Sequence, residues 1–373
     1  MSPPALTEQG CRQRQDRLRR LLAEKGLAGA VISAPQDIHY FSGYPIPVLP
    51  RFPAILYIAA DGPSWLASPG AEAAFVDQSV KYEGMQSSPL NPDPMRRMAR
   101  LVEKGFGRQA RRVGWQSETL PHVLAEAFTK GLHADEWAPI DDGLTDMQSR
   151  KDADEVALLR ESIACTLSGY DAVKAAIRPG VNELAVLEAG HAAANLRAGE
   201  IVYYGGEHQS GEKGGAARNR NIRDGELYIV DSNTVFRGYW SDLCRTFAVG
   251  ETTPLQREVF AHIAAILADL PAKLKPGAKG AELWRWMDER IRQHPHLRDV
   301  GLPHHVGHGI GTRSHEPPLL LRGRDDVLQP GNVVSCEPGS YTPELNAGVR
   351  IENTFLITES GCELLSDYPV ALA

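Results

Sequence analysis

Two acidic residues inside apolar, strand-like runs are the first residues of this sequence that suggest chemistry. Asp231 follows the apolar run 228–230, and Asp242 follows the aromatic pair 239–240 after a turn at 237–238. In a hairpin with a two-residue turn, both acids point to one face, opposite or diagonal, with Cβ atoms roughly 5–8 Å apart. Two acids this close repel each other in a dry site, and a bridging cation removes the repulsion. The alternative is an exposed turn with two solvated acids, which the apolar flanks disfavour.

Further residues that could bind a cation come later in the chain. Glu337 follows the apolar run 333–336, and Glu352 lies inside the strand-like stretch 348–357. The segment 304–315 holds four of the chain's 12 histidines. Alone, each such residue is more simply explained as a strand-edge acid or a structural histidine. Together they give a donor set of four carboxylates and one imidazole that suits Mn²⁺, Co²⁺, Fe²⁺ or Zn²⁺, namely Asp231, Asp242, His308, Glu337 and Glu352.

The donor set is large enough for two metals, because four carboxylates balance the charge of two divalent ions. Two such ions about 3.5–4 Å apart can hold a hydroxide nucleophile and polarise a carbonyl group. Other catalytic motifs are missing from the sequence, which has no GxSxG, HExxH or P-loop pattern. The glycines at 307, 309 and 311 lack the spacing of a phosphate-binding loop. The residues therefore favour metal-dependent chemistry.

The elements that must position these residues fall into two halves. Alternating short strands and helices in the first half predict an α/β domain, with strands at 28–33, 55–59, 111–115 and 137–140, helices at 13–26, 93–105 and 118–130, and a loop at 35–40. A boundary is expected near 141–151. The second half predicts helices at 153–177, 182–198 and 281–292 and strands at 201–204, 226–236, 239–248, 332–336 and 349–358. Two Pro-Gly turns, at 179–180 and 276–277, suggest a repeat of about a hundred residues.

The composition excludes several classes of protein. The chain has 373 residues, of which 42% are hydrophobic and 23% charged, as in a globular protein of about two domains. A net charge of −7 does not indicate the positively charged surface that binding to nucleic acid or to an anionic membrane requires. There is no signal-peptide pattern and no apolar run of membrane-spanning length. Five cysteines without a CxxC pair predict reduced thiols and a cytoplasmic location.

The five candidate ligands, in this order and context, resemble those of the pita-bread metallohydrolases, which include prolidase, aminopeptidase P, methionine aminopeptidase and creatinase. The resemblance covers essentially the whole chain and is closest to the Xaa-Pro peptidases. It implies a creatinase-like α/β domain over 1–148 and a pita-bread α+β catalytic domain over 149–373, with a curved, mostly antiparallel sheet. It also implies two divalent metals (Mn²⁺ first, with Co²⁺, Zn²⁺ or Fe²⁺ as alternatives), a small peptide substrate and a homodimer.

The resemblance also implies a role for each residue of the site. Asp231 and Asp242 bind one metal, His308 and Glu337 bind the other, and Asp242 and Glu352 bridge the two. Glu337 is the expected general base. Further catalytic roles fall to His304 and His315, which contact the substrate and stabilise the tetrahedral intermediate, and to Arg350, which holds a ligand carboxylate in place. His305 is expected to be structural, and the segment around Asp37 and His39 is expected to approach the partner's active site in a dimer.

Departures from the family pattern leave the reaction open. Asn233 replaces the usual glycine two residues after the first ligand, and Cys244 replaces a threonine. The family's catalytic histidine is expected 17 residues before Asp231, where this chain has Gly214. His208 is a candidate to replace it. The first hypothesis is an Xaa-Pro peptidase in which a metal-bridged hydroxide attacks the amide carbonyl. The second is a metal-dependent lyase or amidohydrolase acting on a small metabolite, and the third is a non-catalytic binding module.

Overall fold

The computed structural model describes residues 3–46, 54–69, 74–81, 112–132 and 134–372, with the backbone alone at 130–132. The chain divides into two compact units, Met1–Gln148 and Ser149–Ala373. The helix predicted at 93–105 lies outside the described residues.

A six-stranded mixed sheet forms the centre of the first unit, in the order β4-β3-β2-β1-β5-β6. All four residues of β1 are buried, as expected for a central strand that is covered on both faces. Thr7 is the N-cap of helix α1, and its hydroxyl accepts a hydrogen bond from the Gly10 amide at 3.0 Å. The strands are β1 (Gly29–Ile32), β2 (Ile55–Ala59), β3 (Ser64–Ser68), β4 (Gln78–Lys81), β5 (Arg112–Trp115) and β6 (Glu136–Pro139), and the helices are α1 (Glu8–Glu24), α2 (Pro35–Ser42), α3 (His122–Leu132) and α4 (Asp141–Ser149).

The loop predicted at 35–40 is wrong, because these residues form helix α2. Pro35 occupies the first turn, where its fixed φ favours a helix, and Gly43 ends the helix with a φ of +67°. Asp37 is buried and accepts hydrogen bonds from Gln116 and Gln148, the latter at 2.6 Å. These tertiary contacts add to the local signals of Pro35 and Gly43, which the prediction of a loop did not weigh.

The second unit contains three sheets whose strand pairings are all antiparallel in the described residues. Their orders are β10-β8-β7 with β9 beside β8, β12-β11-β13-β16-β17, and β14-β15. This confirms the predicted fold class of an α/β N-terminal part followed by an α+β part. The helices are α5 (Ala153–Ala176), α6 (Glu183–Ala198), α7 (Pro254–Asp269) and α8 (Gly280–Ile291), and the strands are β7 (Tyr203–Ser210), β8 (Leu227–Phe236), β9 (Tyr239–Trp240), β10 (Leu243–Ala248), β11 (Gly307–Gly309), β12 (Glu316–Leu320), β13 (Val333–Cys336), β14 (Gly339–Ser340), β15 (Val349–Arg350), β16 (Asn353–Ile357) and β17 (Cys362–Leu364).

Three strands of the second unit differ from their predicted bounds. Strand β7 (Tyr203–Ser210) runs six residues beyond the predicted strand 201–204. The stretch 239–248 breaks at Asp242, and the stretch 349–358 breaks at Glu352. Asp242 and Glu352, the two predicted bridging ligands, therefore lie where the hydrogen-bonded pairing of a strand is interrupted.

Two helix pairs cover the outer faces of the main sheets. Tyr170 of α5 and Val186 of α6 pack against alternate residues of β8, including Val230. In the same way, α7 and α8 pack against Val334 of β13 and Phe355 of β16. Because side chains alternate along a strand, the residues between these core positions face the other way. Asp231, Ser335 and Thr354 are on that second face.

A candidate metal centre

The hairpin β8–β9–β10 positions the first two acids. Arg237 and Gly238 form its turn with φ values of +47° and +87°, and Asp231 pairs with Cys244 across the strands. Asp242 is two residues from Cys244, so it is the diagonal neighbour of Asp231 on the same face. The side-chain amide of Asn233 donates a hydrogen bond to Asp242 Oδ1 at 2.6 Å.

Strand β11 brings His308 to the same place. A side chain at Gly307 would overlap the Ser335 carbonyl, and one at Gly309 would overlap the Pro317 carbonyl, so both glycines permit the close strand packing. His308 Nδ1 lies 3.0 Å from the Gly309 carbonyl, the partner for an N–H at this position. With the proton there, Nε2 keeps its lone pair, as a metal ligand requires. Nε2 lies 3.5 Å from Asp242 Oδ2 and 3.9 Å from Glu337 Oε1.

Glu352 completes a compact donor set. Asp242, His308 and Glu352 each offer one ligand atom, and these atoms lie within 4.8 Å of one another. Both carboxylate oxygens of Glu352 are buried, and neither has a hydrogen-bond partner among the described residues. A buried carboxylate without a partner is strongly destabilising. The donor set therefore fits a divalent cation.

Burial and mutual repulsion disfavour the ionised forms of these acids. Burial raises the pKa of Asp242 and of Glu352 well above the usual range, and the neighbouring carboxylates raise both further. Burial, followed by the charge of Asp231, raises the pKa of Glu337 to about 8. Burial lowers the pKa of His308 to about 3, so its ring is neutral at pH 7. Such an arrangement requires nearby positive charge to keep the acids ionised.

Arg350 supplies part of that positive charge. Its Nη2 lies 2.8 Å from Asp231 Oδ2 and also binds Glu207, while its Nε lies 3.9 Å from Glu337 Oε2. Its Nη1 donates to the Tyr341 hydroxyl at 3.1 Å. The structure thus brings Arg350 close to two predicted ligands, Asp231 and Glu337, and into contact with two residues that sequence reasoning missed.

The histidines expected to contact substrate surround this set. His304 Nε2 lies 3.2 Å from the Tyr341 hydroxyl, and the exposed His315 stacks on His308 with ring centroids 3.7 Å apart. His305, which was expected to be structural, lies in the site, with Nδ1 3.3 Å from Glu337 Oε1. Burial lowers the pKa of both His304 and His305 to about 4.

His208 does not face the metal centre. Its ring is buried on the other side of β7, where Nε2 lies 2.8 Å from the Ser232 hydroxyl. Its neighbour Glu207, which pairs with Asp231 in the β7–β8 register, points toward the site instead. Gly214 has a φ of +131°, and a side chain there would collide with the Glu207 carboxylate. Glu207 thus occupies the space next to the position where the family pattern has a histidine.

Comparisons with known proteins agree with this geometry. Residues 157–359 match the metallopeptidase family M24, and residues 14–147 match the creatinase/prolidase N-terminal domain. An Xaa-Pro dipeptidase of Pyrococcus furiosus is 27% identical over 365 residues, covering 95% of this chain and 98% of the relative. One of Lactobacillus delbrueckii subsp. lactis is 29% identical over 366 residues, covering 93% and 94%. The solved structure of an Xaa-Pro dipeptidase from Bacillus anthracis has a TM-score of 0.80 at 23% identity, covering 97% of this chain and 99% of that one.

Fold and site together define a metal-dependent hydrolase of the pita-bread type. The chain belongs to metallopeptidase family M24 and carries a creatinase-type N-terminal domain, which confirms the resemblance seen in the sequence. Among the described residues, no helix combines the length and the apolar character needed to cross a bilayer.

Proposed function

We propose that this chain is an Xaa-Pro dipeptidase or aminopeptidase that uses two divalent metal ions. The observation that carries the proposal is the buried Glu352 carboxylate, which has no hydrogen-bond partner among the described residues and lies beside Asp242 and His308. The names of the two Xaa-Pro dipeptidase relatives, which align over more than nine-tenths of the chain, support a peptide substrate.

The five residues of the donor set would hold the two metals. Asp231 and Asp242 would bind one ion, His308 and Glu337 the other, with Asp242 and Glu352 shared. Bound metals would supply a hydroxide nucleophile and polarise the substrate carbonyl. Mn²⁺ is our first choice, with Co²⁺, Zn²⁺ and Fe²⁺ as alternatives, since oxygen ligands with one imidazole suit all four.

The other side chains would handle protons and charge around the substrate. Glu337 would accept the proton of the attacking water, as the family resemblance implies. Its Oε1 lies 3.3 Å from His305 Nδ1 and 3.9 Å from His308 Nε2. His304 and His315 would donate hydrogen bonds to the oxygen that becomes negative during attack. Arg350 would hold the Asp231 carboxylate in its ligating orientation through their 2.8 Å ion pair.

One observation favours a second candidate function. Gly214 has no side chain to act on the scissile nitrogen, and His208 faces away from the site. A metal-dependent lyase or amidohydrolase acting on a small metabolite would not need that group. The two candidates share the metal centre and differ in substrate and, for a lyase, in the reaction.

Metal-loaded turnover decides between them. The protein would be loaded with Mn²⁺, Co²⁺ or Zn²⁺, its bound metal quantified by mass spectrometry, and its activity measured on Xaa-Pro dipeptides and tripeptides. We expect the wild type to bind two metals per chain and to cleave Xaa-Pro bonds. Asp242→Asn should lose both the metals and the cleavage. The control is Glu363→Gln, at a surface residue that pairs with Arg160, and it should keep both. Two metals without peptide cleavage would support the second candidate. Full metal content and turnover in Asp242→Asn would overturn the ligand assignment.

The remaining properties proposed for the chain rest on the resemblance. We infer a homodimer located in the cytoplasm, with domain limits at 1–148 and 149–373. Light scattering on the purified protein tests the dimer, for which a single-chain mass would be the contrary result.

A further inference from the structure

Glu207 is an acidic residue at the metal centre that the proposed function does not use. It pairs with Asp231 across β7 and β8, so both side chains lie on the same face of the sheet. Its side chain is 42% exposed, compared with 16% for Asp231 and 9% for Glu337. Glu207 is therefore the carboxylate of this group that an incoming molecule meets first.

The position of Glu207 is built into the fold. Arg350 donates a hydrogen bond to it from Nη2, the same nitrogen that contacts Asp231. Arg350 is also the one residue in the described part of the chain that hydrogen-bonds the Glu207 side chain. The arginine is 10% exposed and the carboxylate 42%, so the carboxylate is the more accessible member of this ion pair.

The glycine-rich segment after β7 leaves room for this carboxylate. A side chain at Gly214 would displace it, and one at Gly215 would press on Gln209. The amide of His208 donates to the Gly215 carbonyl at 2.7 Å, and Arg218 donates to Glu183 at 2.7 Å. The segment is thus anchored at both ends, and Glu207 is held without crowding.

We infer that Glu207 is a specificity-determining residue that binds the protonated α-amine of the substrate. Glu207 and Asp231 contact one nitrogen of Arg350, so their oxygens are within roughly 5 Å of each other. The amine of a peptide is two bonds from the carbonyl carbon of its first residue. An amine on Glu207 would therefore place the first peptide bond beside the metal ligands. The inference rests on the proposed peptidase function and deepens it, because it selects peptides with a free N-terminus.

The test variant is Glu207→Gln, which removes the charge but keeps a carbonyl oxygen that can accept from Arg350. Metal-loaded protein would be titrated calorimetrically with a non-hydrolysable ketomethylene analogue of an Xaa-Pro dipeptide and with its counterpart lacking the amine. We expect the variant to bind the amine-bearing analogue about tenfold more weakly, with less than about a twofold change for its counterpart. KM for dipeptides should rise by a similar factor while kcat and bound metal stay constant.

Glu212→Gln is the matched control, because Glu212 is an exposed acid of the same segment that lies 3.6 Å from Arg218. It should bind both analogues as the wild type does. The inference would be overturned if Glu207→Gln weakened the binding of both analogues equally or lost bound metal. Either result would show that Glu207 only positions Arg350. If wild-type protein neither cleaves dipeptides nor binds the amine-bearing analogue, the proposed function fails as well. Cleavage by the wild type with unchanged selectivity in the variant overturns the inference alone.

Discussion

Glu352 has two buried oxygens that no described residue hydrogen-bonds, beside the acidic Asp242 and the neutral imidazole of His308. Such a carboxylate stays ionised only when positive charge compensates for it, and Arg350 supplies only part of that charge. Removing the charge should therefore have opposite effects on metal binding and on the stability of the metal-free protein.

Glu352→Gln tests this expectation. The variant should lose at least one metal and lower turnover by roughly a hundredfold or more, because an amide is a poor ligand for a bridging position. The metal-free variant should unfold at a higher temperature than the metal-free wild type, because repulsion among the acids is reduced. Metal analysis and calorimetry in chelator measure the two effects. A variant with two metals and a lower unfolding temperature would contradict the assignment.

Gly214 also has a property that is visible only in the structure. Its φ of +131° and the adjacent Glu207 carboxylate both oppose a side chain. We expect Gly214→Ala to lower the free energy of unfolding by about 1–3 kcal/mol, measured by urea titration. The control is Gly180→Ala, where φ is +87° but nothing lies within 4 Å of the added carbon. Equal losses in the two variants would show that backbone strain alone is responsible and that crowding against Glu207 contributes nothing.

At the scale of elements, the segment between β7 and β8 is held by a buried charge network. Glu183 is fully buried and accepts from Arg218 and from the Ser210 amide. Glu226 accepts from the Ser210 hydroxyl at 2.6 Å and from Arg220 Nη1 at 3.0 Å. This network links helix α6 to the segment that carries Gly214.

The pH dependence of stability should reveal this network. Burial raises the pKa of Glu226, but the hydrogen bonds from Arg220, Ser210 and the Arg223 amide outweigh it and hold the pKa at about 2, below the usual 4.5. A depressed folded-state pKa contributes stability above pH 4.5 that is lost as the pH falls toward 2. Glu226→Gln should be less stable than the wild type by roughly 1–3 kcal/mol at pH 7, because solvent screens part of the ion pair, and the difference should shrink between pH 4.5 and 2. Urea unfolding of the metal-free proteins at several pH values measures it, and a constant difference would contradict the prediction.

The same elements show what the sequence could and could not predict. The hairpin around the first two acids followed from alternation and turn length, because both are local properties. Helix α2 was missed although Pro35 and Gly43 mark its two ends. Its further support, from Gln116 and Gln148 to Asp37, is distant in sequence and could not be predicted. Glu207 rather than His208 faces the site because of the strand register, which depends on where β7 pairs with β8. Tyr341 carries no sequence signal, since the two-residue strands β14 and β15 bring it to Arg350.

At the scale of the molecule, the two Pro-Gly turns of the second unit have the same local structure. Gly180 and Gly277 both have a φ of +87°, and each amide donates at 2.9 Å to a carbonyl far along the chain, of Ile222 and Leu328 respectively. Each turn precedes a helix that packs on one of the two main sheets. Thr354 joins the inner faces, because its hydroxyl donates to the Asp242 carbonyl at 2.8 Å. The metal centre thus lies where two similar halves meet.

Metal should therefore stabilise the second unit by joining its halves. Asp231 and Asp242 come from the β7–β10 sheet, whereas His308 comes from the other main sheet, with Glu337 and Glu352 at the ends of its strands. A metal present at 100 times its dissociation constant contributes about 2.7 kcal/mol. We expect chelator to lower the unfolding temperature and to speed hydrogen exchange in β8 and β13, while β1 and β2 of the first unit keep their exchange rates. The Glu352→Gln variant should respond less to chelator than the wild type. Faster exchange throughout both units, or in neither, would mean that the five residues do not join the two sheets through a shared metal centre.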